Sequence, residues 1–159
     1  YLPKTVKKPC YKDGSVAIVN AAACADTAFS NAPQGIVHTL AQAIALDTNL
    51  KPGIVMGILL RYSLAAKLQS KGGIRPELLL ALAGIDTYAK TPDKDRQNTA
   101  YSYLIQCIDA TSKFVPTTLK GLNIPHYKLK EYAKLAAAKN KQHKETEYMA
   151  LLEKSFEGK

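Results

Sequence analysis

His38 and Gln42 are the two residues of this sequence whose types and spacing are best suited to chemistry. At positions i and i+4 their side chains project from one face of a helix, which is how a metal ion or a reacting group is usually held. Histidine is a good metal ligand, whereas the neutral amide oxygen of glutamine is a weak one. The pair therefore indicates a site whose set of ligands is incomplete.

The elements that position these side chains are predicted to be α-helices. Apolar residues recur at the helical spacing from Gly35 to Leu46, and His38 and Gln42 fall at the border of that apolar stripe, which suits the wall of a cleft. Other helices are predicted to begin at or near Ser15, Pro52, Pro76, Pro92, Leu129 and Tyr148. No segment shows the alternation typical of a strand. The sequence thus predicts an all-α fold, a compact bundle of about seven helices.

The domain organisation follows from the length of the chain and from composition along it. With 159 residues we expect a single helical domain, residues 15–159, after a Lys- and Pro-rich lead-in segment, residues 1–14, that ends in the turn Asp13-Gly14. Because the chain begins with Tyr1 rather than methionine, we expect a processed product or a fragment of a longer protein. No signal peptide is visible, and the apolar run Ile54 to Leu60 is far shorter than the ~20 residues that span a bilayer.

The net charge of +9 raises the possibility of a nucleic-acid partner. Lysines crowd the two ends of the chain, but glutamates interrupt the second group and no nucleic-acid-binding motif is present, so a solvated face is the favoured interpretation. The three cysteines are far apart, odd in number and without a C-x-x-C motif, which fits reduced thiols. We therefore expect a cytoplasmic protein that binds neither nucleic acid nor a membrane.

Several motifs resemble the helical C-terminal domain of the iron-containing alcohol dehydrogenases. The hallmark of that family reads A-F-x-N-A-x-x-G-x-x-H-x-x-A-H, followed by P-H-G and an apolar helix. This sequence matches it at Ala28-Phe29-Ser30-Asn31-Ala32, Gly35, His38 and Ala41, and then continues without a gap to Leu50-Lys51-Pro52-Gly53-Ile54, where Pro52 falls at the histidine of P-H-G. Three later segments also look like segments of the family, namely Leu80 to Gly84, Gly121 to Pro125 and Tyr148 to Gly158. The resemblance implies the dehydroquinate-synthase-like helical fold.

The resemblance also implies a metal site that is degenerate in this chain. The family surrounds its metal with one aspartate and three histidine positions, of which the aspartate lies upstream of this chain. His38 matches one histidine, Pro52 stands where a second is expected, and Gln42 replaces the histidine next to the metal that takes part in proton transfer. His38 is thus the one metal ligand the resemblance implies, with no catalytic and no cofactor-binding residue. Because a reactive metal normally keeps three protein ligands, iron or zinc is expected to bind weakly or not at all.

The function that the resemblance implies is NAD(P)-linked interconversion of alcohols and aldehydes. The metal polarises the substrate oxygen while a nicotinamide donates or accepts hydride. No G-x-G-x-x-G occurs here, so NAD(P) would be held by an upstream nucleotide-binding domain. We therefore expect the metal- and substrate-side domain of an oxidoreductase with weak or no activity. The alternative is a non-catalytic assembly or binding module, in which the alanine-rich helix after Ser15 contacts a partner or a second copy.

Plainer interpretations of the same residues remain open. His38 is either a surviving ligand or a hydrogen-bonded histidine at the edge of a helix packing face. Gln42 is more easily a buried hydrogen-bonding replacement than a polar residue of a cleft. Asp47 and Asn49 carry oxygens that suit a metal, but both are ordinary turn residues and that interpretation is favoured.

Overall fold

The computed structural model describes residues 1–8, 10–112 and 116–158, and within these its regular structure is helical without a strand. The predicted all-α fold is therefore confirmed. The described residues form eight α-helices, which are α1 (Leu2–Lys7), α2 (Lys12–Ser30), α3 (Ile36–Asp47), α4 (Pro52–Gln69), α5 (Leu78–Lys90), α6 (Arg96–Ser112), α7 (Leu129–Lys139) and α8 (Glu145–Glu157). Three short 3-10 helices lie at Asp93–Asp95, Lys120–Leu122 and His126–Lys128. The helix beyond the expected seven is α1, in the lead-in segment.

The chain falls into two compact units, Tyr1–Gly35 and Ile36–Lys159. In the first unit α1 packs against the start of α2. Gly14 is buried there, and a Cβ atom on it would lie 2.0 Å from Thr5 Oγ1. This glycine therefore permits a close helix approach inside α2, and the turn that the sequence predicted at this position is wrong. The proposed division into residues 1–14 and 15–159 stays a prediction.

The start of α2 also differs from the prediction. The helix begins at Lys12 after Tyr11, so Ser15 lies inside its first turns and does not cap it. The Ser15 hydroxyl instead donates a hydrogen bond to the Tyr11 carbonyl oxygen, at 3.2 Å. Serine commonly makes this bond to the carbonyl four residues earlier, which is why its presence does not by itself define a helix start.

In the second unit α3, α4, α7 and α8 enclose the main core. Helix α3 packs against α4 and α7, and α8 packs against α4 and α7. The largest side chains that are fully buried in this core are Tyr132, Tyr148, Leu40, Ile44, Leu59, Leu119, Leu129, Leu152 and Val55. A smaller cluster of Ile74, Leu79 and Ala100 lies where α5 meets α6. The larger core therefore fixes α3 and α7, the two helices that carry the candidate site.

Helix α4 begins at Pro52, as the sequence predicted. The missing N–H of proline leaves no helical bond unmade at a first position, and its φ is already near the helical value. Leu50 is partly buried against the main core, which fixes the short link between α3 and α4. Pro52 therefore has a structural task in the fold at the position where the resemblance implies a metal-binding histidine.

Candidate functional site

His38 and Gln42 lie on α3, half-buried and one turn apart. Gln42 Nε2 is 2.7 Å from His38 Nε2, which is the hydrogen-bonded contact that the i, i+4 spacing allows. The structure therefore brings together the two residues that the sequence singled out, and it joins them directly to each other.

Lys139, the last residue of α7, completes a chain of three side chains. Its Nζ atom donates a hydrogen bond to Gln42 Oε1 at 2.5 Å. An ammonium group can only donate, so the amide oxygen of Gln42 faces Lys139 and its NH₂ group faces His38. That NH₂ group can only donate as well, so His38 Nε2 is the acceptor and the ring proton lies on Nδ1. This bond to Lys139 thus selects one orientation of the amide and one tautomer of the histidine.

A second set of hydrogen bonds holds the end of α7 beside the three linked side chains of His38, Gln42 and Lys139. Asn140 Nδ2 donates to Thr39 Oγ1 at 3.3 Å, and the Tyr148 hydroxyl donates to the Asn140 carbonyl oxygen at 3.3 Å. Thr39 and Tyr148 are fully buried, and burial raises the pKa of the Tyr148 hydroxyl. Asn140 directly follows Lys139, so these bonds from α3 and α8 hold the Lys139 backbone close to Gln42.

The donor set around His38 does not fit a metal that needs three protein ligands. Pro52 has no side-chain donor atom, Gln42 uses both ends of its amide, and His38 Nε2 already accepts a hydrogen bond. Among the described residues no group of three or more His, Cys, Asp or Glu side chains is close enough to hold a metal ion. The role of His38 as a metal ligand stays a prediction.

Asp47 lies at the end of α3 and is engaged by two donors from the far part of the chain. Its Oδ2 atom accepts hydrogen bonds from Lys128 Nζ and, at 2.7 Å, from the hydroxyl of the buried Tyr132. The bond from Lys128 holds the pKa of the Asp47 carboxyl below its usual range and raises the pKa of Lys128. Asp47 therefore joins α3 to α7, which supports its structural interpretation over a ligand role.

This cluster predicts acid sensitivity. Because the pKa of Asp47 is lowered in the folded protein, its contribution to stability is present above the unfolded value of about 3.9 and is lost as pH falls further. We expect Asp47→Asn to lower Tm at pH 7, with the difference from the wild type shrinking as pH falls below about 4. Thermal unfolding, followed by circular dichroism, measures the Tm difference at each pH. Asp86→Asn, at an exposed position of α5, is the control. An undiminished difference at pH 3 would contradict the prediction.

The other two histidines each lie beside a glutamate, and the His143 ring packs edge-on against the Tyr148 ring. His126 Nε2 is 2.9 Å from Glu153 Oε2, and His143 Nδ1 is 3.1 Å from Glu147 Oε2. The backbone N–H of Lys144 also donates to Glu147 and is the main cause of the lowered pKa of that carboxyl. The first pair joins the segment before α7 to α8, and the second joins the segment before α8 to the first turn of α8.

The all-α fold of the described residues, with His38 on α3 and a proline-started α4 after it, is that of a helical domain, as the sequence predicted. The family model described as "Fe-containing alcohol dehydrogenase family, C-terminal" matches residues 1–155. The chain therefore belongs to the iron-containing alcohol dehydrogenase family and corresponds to its C-terminal domain. Neither a curated protein nor a solved structure matches the chain. In the part of the chain that the structure describes, no helix is long and apolar enough to cross a membrane.

Proposed function

We propose that this chain is the metal- and substrate-side domain of an alcohol dehydrogenase-like oxidoreductase whose metal site is degenerate, with weak or no activity. The match of the family model to residues 1–155 supports the oxidoreductase origin. The observation that carries the degeneracy is the engagement of Gln42, which is bonded to both His38 and Lys139 where the family has a histidine.

The expected loss of activity follows from what the metal supplies in this family. A metal ion stabilises the negative charge on the alcohol oxygen while hydride passes to or from the nicotinamide. One histidine cannot hold such an ion in place of three ligands, so that charge is left uncompensated. Iron or zinc is then bound weakly or not at all, and NAD(P) is held by an upstream nucleotide-binding domain. A cytoplasmic location belongs to the same proposal, supported by three cysteines without a paired motif.

Metal content tests this proposal directly. After incubation with iron(II) or zinc and removal of the excess, elemental analysis is expected to find well below one equivalent per chain. The His38→Ala variant, prepared in parallel, should retain the same amount, because the remaining donors do not form a site. About one equivalent per chain in the wild type, lost on His38→Ala, would contradict a degenerate site.

Activity is tested with the domain joined to the upstream nucleotide-binding domain that this proposal assumes. We expect NAD(P)-linked oxidation of alcohols at the level of a no-enzyme control, with or without added iron(II). Metal-dependent turnover that disappears on His38→Ala would overturn the proposal, because it would require a working site at this position.

The alternative function is a non-catalytic assembly module, favoured by the apolar surface of α2. Val16 is 53% exposed and Val19 67% exposed on this alanine-rich helix. Contiguous exposed apolar surface often marks a protein interface. Sedimentation equilibrium over a wide concentration range tests this alternative. A dimer weakened by Val19→Lys would support it, and a strictly monomeric chain would count against it.

A further inference from the structure

We infer that Lys139 and Gln42 together exclude a divalent metal ion from His38, so that a lysine ammonium takes the place of a metal charge at this site. The inference rests on the proposed function in one respect, because it takes His38 as the position of a metal-binding histidine in the family. It goes further because it assigns a role to Lys139, a residue that neither the family motif nor the sequence pattern singles out.

The first step is the occupation of the ligand atom. A metal would bind the Nε2 lone pair of His38, and that lone pair accepts the hydrogen bond from the Gln42 NH₂ group at 2.7 Å. Turning the amide over would present its oxygen to this side, but it would also point the NH₂ group at the Lys139 ammonium. Two donors would then face each other, and the 2.5 Å bond between Lys139 and Gln42 would be lost. The bond to Lys139 therefore keeps Nε2 occupied.

The second step is charge. The Lys139 ammonium is separated from His38 Nε2 by the width of a single amide group. A divalent cation on Nε2 would lie close to this positive charge, and like charges at such a separation repel each other, with solvent weakening the repulsion because Lys139 is exposed. The bonds that Asn140 makes with Thr39 and Tyr148 hold the end of α7 in this position. In a Gln42→His variant the ammonium loses its acceptor, but the end of α7 stays beside α3, so its charge still opposes metal binding there.

The experiment supplies those ligands and then removes the lysine. Gln42→His places two histidines at i and i+4 on α3, a spacing that chelates zinc. Zinc affinity is measured by isothermal titration calorimetry for Gln42→His alone, for Gln42→His with Lys139→Met, and for Gln42→His with Lys134→Met. Lys134 is the matched control, since it is exposed on the same helix but about 140° further around it. Circular dichroism melting confirms that each variant is folded.

We expect Lys139→Met to strengthen zinc binding by at least about tenfold in the Gln42→His background, with no change for Lys134→Met. Equal affinities for the two lysine variants would overturn the inference. The wild type is tested by long-range ¹H–¹⁵N spectra of the imidazole rings, assigned with His38→Ala. An unprotonated Nε2 on His38 supports the hydrogen bond from the Gln42 NH₂ group to this atom, and a proton on Nε2 overturns the inference. Equal zinc affinities would overturn this inference and leave the proposed function standing, whereas metal-dependent turnover of the extended protein that disappears on His38→Ala would overturn both, so the two failures are distinguishable.

Discussion

Leu40→Ala is expected to lower the free energy of unfolding by about 2–5 kcal/mol, as do other large-to-small changes in well-packed cores. Leu40 is fully buried on α3, and it belongs to the core that α3 shares with α4 and α7. Removing its side chain loses the burial of three carbon atoms and leaves a cavity that neighbouring helices fill only in part. Urea unfolding at 25 °C, followed by circular dichroism, measures the change.

The same helix offers a matched control in Leu46, whose side chain is 79% exposed. Leu46→Ala makes the same chemical change at a surface position and should stay within about 0.5 kcal/mol of the wild type. Similar losses of unfolding free energy for the two variants would mean that Leu40 is not on the buried face of α3. Because His38 and Gln42 lie on α3, that outcome would also remove the support for their placement.

Tyr148→Ala is the second change with a large expected effect, a loss of about 3–5 kcal/mol. Tyr148 is fully buried on α8, and its hydroxyl donates to the Asn140 carbonyl oxygen. Tyr148→Phe keeps the ring and removes that bond, so it should lose only about 0.5–1.5 kcal/mol. The difference between the two variants separates the packing of the ring from the hydrogen bond of the hydroxyl.

Tyr127 provides the comparison for this second prediction, because its side chain is 78% exposed. Tyr127→Ala should change the unfolding free energy by no more than about 0.5 kcal/mol. If Tyr148→Ala behaved like Tyr127→Ala, α8 would not pack its aromatic face inward. The bonds that hold Asn140, and with it Lys139, would then lose their support.

Local patterns were enough to predict most of the fold. Apolar residues at the helical spacing place Leu40 and Ile44 inside, and proline at a first position places the start of α4. The start of α2 was missed because serine serves as a cap or as a partner of an earlier carbonyl, and only tertiary contacts decide between these. Gly14 was missed as a packing residue for a similar reason, since its neighbour Thr5 belongs to a different helix.

The site was predictable only where it is local. His38 and Gln42 are four positions apart, so helical geometry alone predicts their contact. Lys139 is 97 positions from Gln42, and in the sequence it stands among lysines that resemble an ordinary solvated face. The contact of Asp47 with Tyr132 spans 85 positions and was missed in the same way. Such contacts follow from the packing of α3 against α7, which no pattern within either helix reveals.

The first position of α4 has a consequence for evolutionary reversal. Pro52 is the first residue of that helix, and its φ angle is fixed near the helical value. A histidine at this position would lose that advantage. Gln42 is similarly committed, because a histidine in its place would leave the Lys139 ammonium without its acceptor. Each substituted position now carries a second, structural duty. Under the proposed degeneracy, restoring a metal centre would therefore require several changes made together, because a histidine introduced at either position alone would remove an existing structural contact. In this sense the proposed loss of the metal site is entrenched.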